Sequence, residues 1–278
     1  MRSLFNIGNK IKPFSKEFII EVNTELSGVS DSNQFQFTGA VGEYNVKAFQ
    51  NDVEVSSFND LVNQQTITLP SEGIYELRVI PKEAGFNKMR FGNGGDKLKL
   101  LKILNWGLYG VNEPNQSNAF RGCENNTEIA GNGAWFDVVT HGSNMLRNNN
   151  LTSLPEGMDL PLLTDGRFMF LDNLLTSLPK EMELPLLMNG AAMFVGNSIT
   201  SLPEGMILVN LTNGSLMFLG NKINTERYSQ LLIDLEANNN NNNVSFNGGD
   251  SKYNAQGEIA RNALIARGWS FTDGGLEN

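Results

Sequence analysis

The sequence predicts a β-rich protein in three parts: an antiparallel β-sandwich, an elongated stack of repeating coils, and a small α/β cap. Three observations predict it. Five sets of residues recur at one fixed step through the middle of the chain, and short apolar runs divided by turn residues precede them. The composition, with 28 Gly, an excess of Asn and only 18% charged residues, is that of a folded, turn-rich chain. At 278 residues the chain is near the size where one core stops growing, which favours two domains or an elongated array over a single sphere.

Residues 1–16 carry Arg2, Lys10, Lys12 and Lys16 without an acid, a basic arm on a chain of net charge −9. Its Leu4, Phe5, Ile7, Ile11 and Phe14 are too many apolar residues for a purely solvating tail. The arm is therefore expected to anchor the protein to a neighbouring subunit through Arg2, Phe5, Lys10, Lys12 and Phe14. Residues 17–95 come next, with expected strands at Phe18–Val22, Phe35–Thr38, Tyr44–Phe49, Thr66–Leu69, Ile74–Ile80 and Lys88–Phe91. The alternating run that begins at Gly73-Ile74-Tyr75 resembles the tyrosine corner of immunoglobulin-like folds, so this part is expected to be an immunoglobulin-like β-sandwich serving as a spacer.

The repeats occupy residues 96–224. Leu154-Pro155, Leu178-Pro179 and Leu202-Pro203 lie 24 residues apart. So do Gly142, Gly166, Gly190 and Gly214; Asn149, Asn173, Asn197 and Asn221; Met145, Met169, Met193 and Met217; and Leu146, Phe170, Phe194 and Phe218. Leu151, Leu175, Ile199 and Ile223 complete a unit whose period falls among leucine-rich repeats, which predicts a leucine-rich repeat solenoid. The Asn column is expected to form a ladder of side-chain amides that satisfies turn backbone groups. The Leu/Phe column should stack inward, and each Gly should sit in a turn with positive φ. For the Met column the pattern allows two placements. Outward, Met145, Met169, Met193 and Met217 would form a concave partner-binding stripe beside Leu171, Val195 and Leu219; inward, they would be core.

These columns resemble the BspA-like leucine-rich repeat proteins. Leu100 to Gly107, with Trp106, followed by Ala119-Phe120-Arg121-Gly122-Cys123, looks like that family's opening strand and first repeat, with Cys123 in the Asn column. The ending, Arg261 to Gly275 with Leu264, Gly268-Trp269 and Asp273-Gly274-Gly275, looks like one common in repeat proteins of Bacteroidetes and their phages. The resemblance implies surface display and adhesion rather than one defined ligand.

After Asn221 the pattern stops, and residues 225–278 are expected to form the cap. Thr225 should cap a helix burying Tyr228, Leu231, Leu232 and Leu235. An Asn-rich turn at Asn238 to Asn243, a strand at Val244–Phe246 and a second helix up to Gly268 should complete it.

No chemical motif stands out. The single histidine, His141, shares a column with Asp165, Asn189 and Asn213 and is expected to be a turn residue; the single cysteine, Cys123, is expected to be a buried ladder residue rather than a nucleophile. No catalytic residue, metal site or cofactor is expected. The acidic balance, pI about 4.8, argues against nucleic-acid binding. No apolar run is long enough to insert in a membrane, and the N-terminal stretch has no continuous apolar secretion signal. The expected function is that of a non-enzymatic phage virion structural or fibre-type protein, assembled in the host cytoplasm, which contacts virion subunits or a host-surface glycan or protein. A bacterial cell-surface adhesin and a fibre-borne polysaccharide-degrading enzyme are the alternatives.

Overall fold

A computed structural model describes residues 15–180, 182–204, 206 and 208–277 of the chain. The anchoring residues Arg2, Phe5, Lys10, Lys12 and Phe14 lie outside the described residues.

The chain is β-rich, with one mixed sheet, smaller sheets and two C-terminal helices. Alternation builds the front end. β1 (Phe18–Asn23) turns Phe18, Ile20 and Val22 inward, β3 (Val41–Gln50) does the same with Tyr44, Val46 and Ala48, and β6 (Ile74–Lys88) with Tyr75, Leu77 and Val79. With β4 (Val53–Val62), β7 (Leu100–Asn105) and β8 (Glu128–Ile129) they form a sheet ordered β4-β3-β6-β1-β7-β8. A ribbon of β2 (Gln34–Gln36) and β5 (Thr66–Thr68) belongs to the same packed core, where Phe37 meets Tyr44 and Phe86. The other face of the large sheet is polar, with Lys102 paired to Glu21 and Arg78 laid over the Phe49 ring. The Tyr75 hydroxyl donates to the Ser71 carbonyl at 2.9 Å, the local bond that the Gly-x-Tyr start suggests.

Two expectations about these strands change. β4 was not expected: Asn51 and Asp52 both take positive φ (51° and 62°), making a tight connection between β3 and β4. The strand expected at Lys88–Phe91 is instead the end of β6 and a turn, because the Arg90 N–H is drawn to Thr38 O and that of Phe91 to Ala119 O.

The loop before β2 is held by a buried ion pair. Asp96 accepts hydrogen bonds from the backbone N–H groups of Val29, Ser30 and Gln36, while the Lys99 ammonium donates to the carbonyls of Ser30, Asp31 and Gln34. The two charges lie 3.9 Å apart, both fully buried. Desolvation pulls the Lys99 pKa below the ordinary lysine range, and the nearby Asp96 and Asp31 charges push it back up.

β7 joins the front end to the repeats, since it pairs antiparallel with β1 and parallel with β8. The line expected between residues 95 and 96 is therefore crossed by a continuous sheet, and one cluster of buried residues runs from Phe18 to Trp269.

From Asn115 onward the chain winds in coils joined by parallel bridges, 26 residues apart at the first step and 24 apart from His141 on. One row runs Asn115, His141, Asp165, Asn189, Asn213, and another joins Ser177 to Ser201. The first row passes through β9 (Asn213–Gly214) into β10 (Ser245–Asn247) and β11 (Ser270–Thr272). The Phe rings stack inside the coils, Phe170 on Phe194 at 5.6 Å and Phe194 on Phe218 at 5.3 Å, nearly parallel.

Two helices close the end. α1 (Thr225–Asn238) buries Tyr228, Leu231, Leu232 and Leu235 as the spacing predicts. Its cap is Asn224 rather than Thr225, because the Asn224 side chain accepts from the Arg227 N–H. α2 (Ala255–Ala266) follows β10. The Asn run is part of this packing: Asn239 is buried and donates to Leu208 O and Leu211 O. The C-terminal motif converges here, with Asp273 bound by Arg261 at 2.8 Å and by the Tyr228 hydroxyl at 3.1 Å.

Candidate binding face

The coil interior accounts for nearly every invariant column, and the columns it leaves over mark the candidate surface. The Asn column is a ladder. Asn197 accepts from the Leu175 N–H at 3.0 Å and donates to Phe170 O at 2.9 Å and Phe194 O at 3.0 Å. Asn173 and Asn221 repeat that pattern one coil to either side. At the first coil the cross-coil bonds of Phe120 and Gly122 to Met145 and Arg147 place Cys123 in register with Asn149. Cys123 is fully buried, and burial pushes its thiol pKa far up, but the side chain that bonds the Asn149 amide at this end is Asn126, which donates to Asn149 Oδ1 at 2.9 Å. At the far end Ser251 takes the amide's place, accepting from the Ile223 N–H.

The outward Met stripe is not present. Met145, Met169, Met193 and Met217 are all fully buried. The reason is backbone geometry: Phe168 and Asp172 have positive φ (58° and 55°), so the segment between them is a turn, not an alternating strand. Met169, Phe170 and Leu171 consequently all point inward or nearly so. Of the flanking residues, Leu171 is buried, Val195 half-buried and Leu219 exposed. The three do not form one exposed stripe.

Positive φ also sits elsewhere than expected. Gly142, Gly166, Gly190 and Gly214 do not adopt it; they are glycine for space, since a Cβ at Gly166 would lie 3.0 Å from the Met193 sulfur. The left-handed positions are Gly122, Asn148, Asp172, Gly196 and Gly220, one residue before the ladder, and Asn118, Asn144, Phe168, Ala192 and Leu216 earlier in the turn. The first of these sets contains only Gly, Asn and Asp, a signal present in the sequence.

The remaining invariant columns are Thr152-Ser153, Thr176-Ser177 and Thr200-Ser201, on the edge carrying the Ser177–Ser201 bridge. All are exposed except the half-buried Ser201. The Thr200 hydroxyl reaches Thr176 O at 3.5 Å, and the other five hydroxyls have no partner among the described residues. Thr140, Thr164 and Thr212, on the opposite edge, behave differently: each donates to a carbonyl of the preceding coil. Five of the six Thr–Ser hydroxyls are thus polar groups that the described part of the fold does not use.

Hollows lie along this face. One of about 400 Å³ opens between Thr127-Glu128 and Thr152-Ser153. Another of about 390 Å³ lies beside Ser201, lined by Lys180, Glu204 and Arg227, and a third of about 400 Å³ lies between Thr200, Lys222, Asn224 and Lys252. Glu204 pairs with Arg227, whose hydrogen bond and charge hold the carboxyl below its usual range. The face carries Glu128 at one end and Lys222 and Lys252 beside Glu277 at the other, with the Thr–Ser hydroxyls and the charged Lys180, Glu204 and Arg227 between. His141 stands in the other bridge row, its Nδ1 2.8 Å from the Thr140 hydroxyl, away from the Thr–Ser ranks.

No family model, curated protein or solved structure matches this chain.

Proposed function

We propose that the chain is a non-enzymatic binding protein: a BspA-like leucine-rich repeat array between an immunoglobulin-like front end and an α/β cap, which presents its Thr–Ser ranks to an uncharged, hydroxyl-rich polymer such as a surface glycan. One observation carries the reading. Thr and Ser are kept in all three coils, five of the six at exposed positions and five of the six hydroxyls without a partner among the described residues, while exposed neighbours vary, as in Asn150, Leu174 and Ser198, or Glu156, Lys180 and Glu204. Recent duplication would have preserved all exposed positions alike. Packing preserves only buried ones. Parallel ranks about 4.8 Å apart offer a ligand repeated hydrogen-bonding sites, each worth little alone and more in series.

The setting we propose is a phage virion, with the protein as a structural or fibre-type component touching sister subunits or the host surface. The resemblance to repeat proteins of Bacteroidetes phages supports it, and the basic stretch of residues 1–16 is the proposed tether. Mass spectrometry of purified particles tests the setting, and particles lacking the protein would refute it.

The binding face is tested with Thr176→Val, Ser177→Ala, Thr200→Val and Ser201→Ala combined, which keeps the β-branched shape while removing hydroxyls. Wild-type protein should bind neutral members of a polysaccharide panel, and the variant should lose at least about tenfold in affinity, or 1.4 kcal/mol, with an unchanged melting temperature. Equal binding by the variant, or no binding of any polysaccharide by the wild type, would refute the assignment.

A further inference from the structure

The described residues include five Asn-Gly pairs: Asn93-Gly94, Asn132-Gly133, Asn189-Gly190, Asn213-Gly214 and Asn247-Gly248. In such a pair the glycine nitrogen can attack the asparagine side-chain amide, because glycine has no Cβ to obstruct the approach. Hydrogen bonding of that N–H opposes the reaction, since the nitrogen must lose its proton to become a nucleophile. Four of the glycines are restrained. The Gly94 N–H donates to Phe91 O, Gly190 to Asn213 O and Gly248 to Thr272 O, while Gly214 lies in the ladder between β9 and β10.

Gly133 differs. Its N–H has no acceptor among the described residues, and although Gly133 itself is buried, the Asn132 beside it is exposed. The Trp106 N–H donates to Asn132 Oδ1 at 3.3 Å, where it polarises the amide and faces the oxygen on which negative charge develops during attack. Glycine is also required at 133 by packing, since a Cβ there would lie 2.8 Å from Trp135 Nε1. The nucleophile is therefore fixed for structural reasons beside an amide whose oxygen Trp106 polarises while its Nδ2 donates to Asn105 Oδ1.

From this geometry we infer that Asn132 is a site of spontaneous backbone modification. The Gly133 nitrogen loses its proton to hydroxide and bonds to Asn132 Cγ. The Cγ–Nδ2 bond breaks, Nδ2 takes a proton and leaves as ammonia, and a cyclic succinimide remains. Water then opens the ring at either carbonyl, giving aspartate or isoaspartate. The net change is one water consumed and one ammonia released, without oxidant or enzyme. The product places a negative charge, and in the isoaspartate form an extra main-chain methylene, where Asn132 now bonds Asn105 of β7.

The test is incubation of the native protein at mildly alkaline pH, with peptide mapping by tandem mass spectrometry over time. The amide-to-acid mass gain should appear at Asn132 about tenfold faster than at Asn93, Asn189, Asn213 or Asn247, a barrier difference of about 1.4 kcal/mol, and should accelerate with pH. The chain unfolded in denaturant should lose that selectivity. Asn132→Gln, which would need a larger ring, should abolish the gain at this position while the other four sites keep their rates. Equal or faster change at any other Asn-Gly pair in the native protein, or an Asn132 that stays intact while the unfolded chain reacts, would overturn the inference.

Discussion

A Cβ placed on Gly142 would lie 2.8 Å from the sulfur of Met169, one coil further along, and Gly166 stands in the same relation to Met193 at 3.0 Å. The two columns are one device: the absent side chain in each coil leaves the space that the next coil's thioether fills. Gly166→Ala should destabilise the fold by about 1–3 kcal/mol through overpacking. In a Met193→Ala background the same change should cost measurably less, with a coupling of about 0.5–3 kcal/mol in a double-mutant cycle. Urea denaturation of the four proteins checks both. Met169→Glu with Met193→Glu, which an exposed stripe would tolerate, should unfold the chain.

Asn173 makes three bonds that no other residue type can reproduce, accepting one and donating two. Asn173→Ala is expected to lower stability by about 1–3 kcal/mol. Asn173→Asp should do comparable damage, because a carboxylate can accept from Leu151 but cannot donate to Leu146 and Phe170. Asn150→Ala, at an exposed position, should change stability by no more than about 0.5 kcal/mol. Thermal melts of the three variants separate a ladder from ordinary asparagines.

The Asp96–Lys99 pair has no water to fall back on. Asp96→Asn or Lys99→Met alone should cost about 3–5 kcal/mol, since each strands the other charge. The double variant should cost less than the sum of the two. Hydrogen exchange should show the losses first at the N–H groups of Val29, Ser30 and Gln36, which Asp96 accepts directly.

Burial raises the Cys123 thiol pKa, so little thiolate forms at neutral pH and alkylating reagents cannot reach it. Native protein should resist iodoacetamide, whereas chain unfolded in urea should be labelled at once. Rapid labelling of the native form would show that the first coil opens locally.

Periodicity made the coils legible because a column repeated four times must share one environment. It could not say which environment. The Asn and Phe columns followed from chemistry alone, since an amide that neighbours need and a ring that stacks each have one good place. Met fits core and surface equally, and only the left-handed turn at Phe168 and Asp172 decided against the surface. The Thr–Ser ranks are visible in the same repeat unit but carry no hydrophobic signal, and only the structure shows that five of their six hydroxyls have no partner among the described residues. In the front end alternation located most strands, yet β4 was hidden because Ser56, Ser57, Asn59 and Asp60 dilute its apolar residues. β7 was assigned to the repeats because its partner β1 lies some eighty residues earlier, a distance no local pattern spans.

The repeated bond pattern also bears on size. Among the described residues the ladder and bridge bonds of each middle coil run to the coil before and the coil after, through the same carbonyls and amides. Duplicating or deleting one 24-residue unit between Leu178 and Leu202 would therefore shift the two ends relative to each other by about 4.8 Å and leave both intact. Length in this molecule is a quantity that can be set in steps, by whole-unit copying, without redesign of either end.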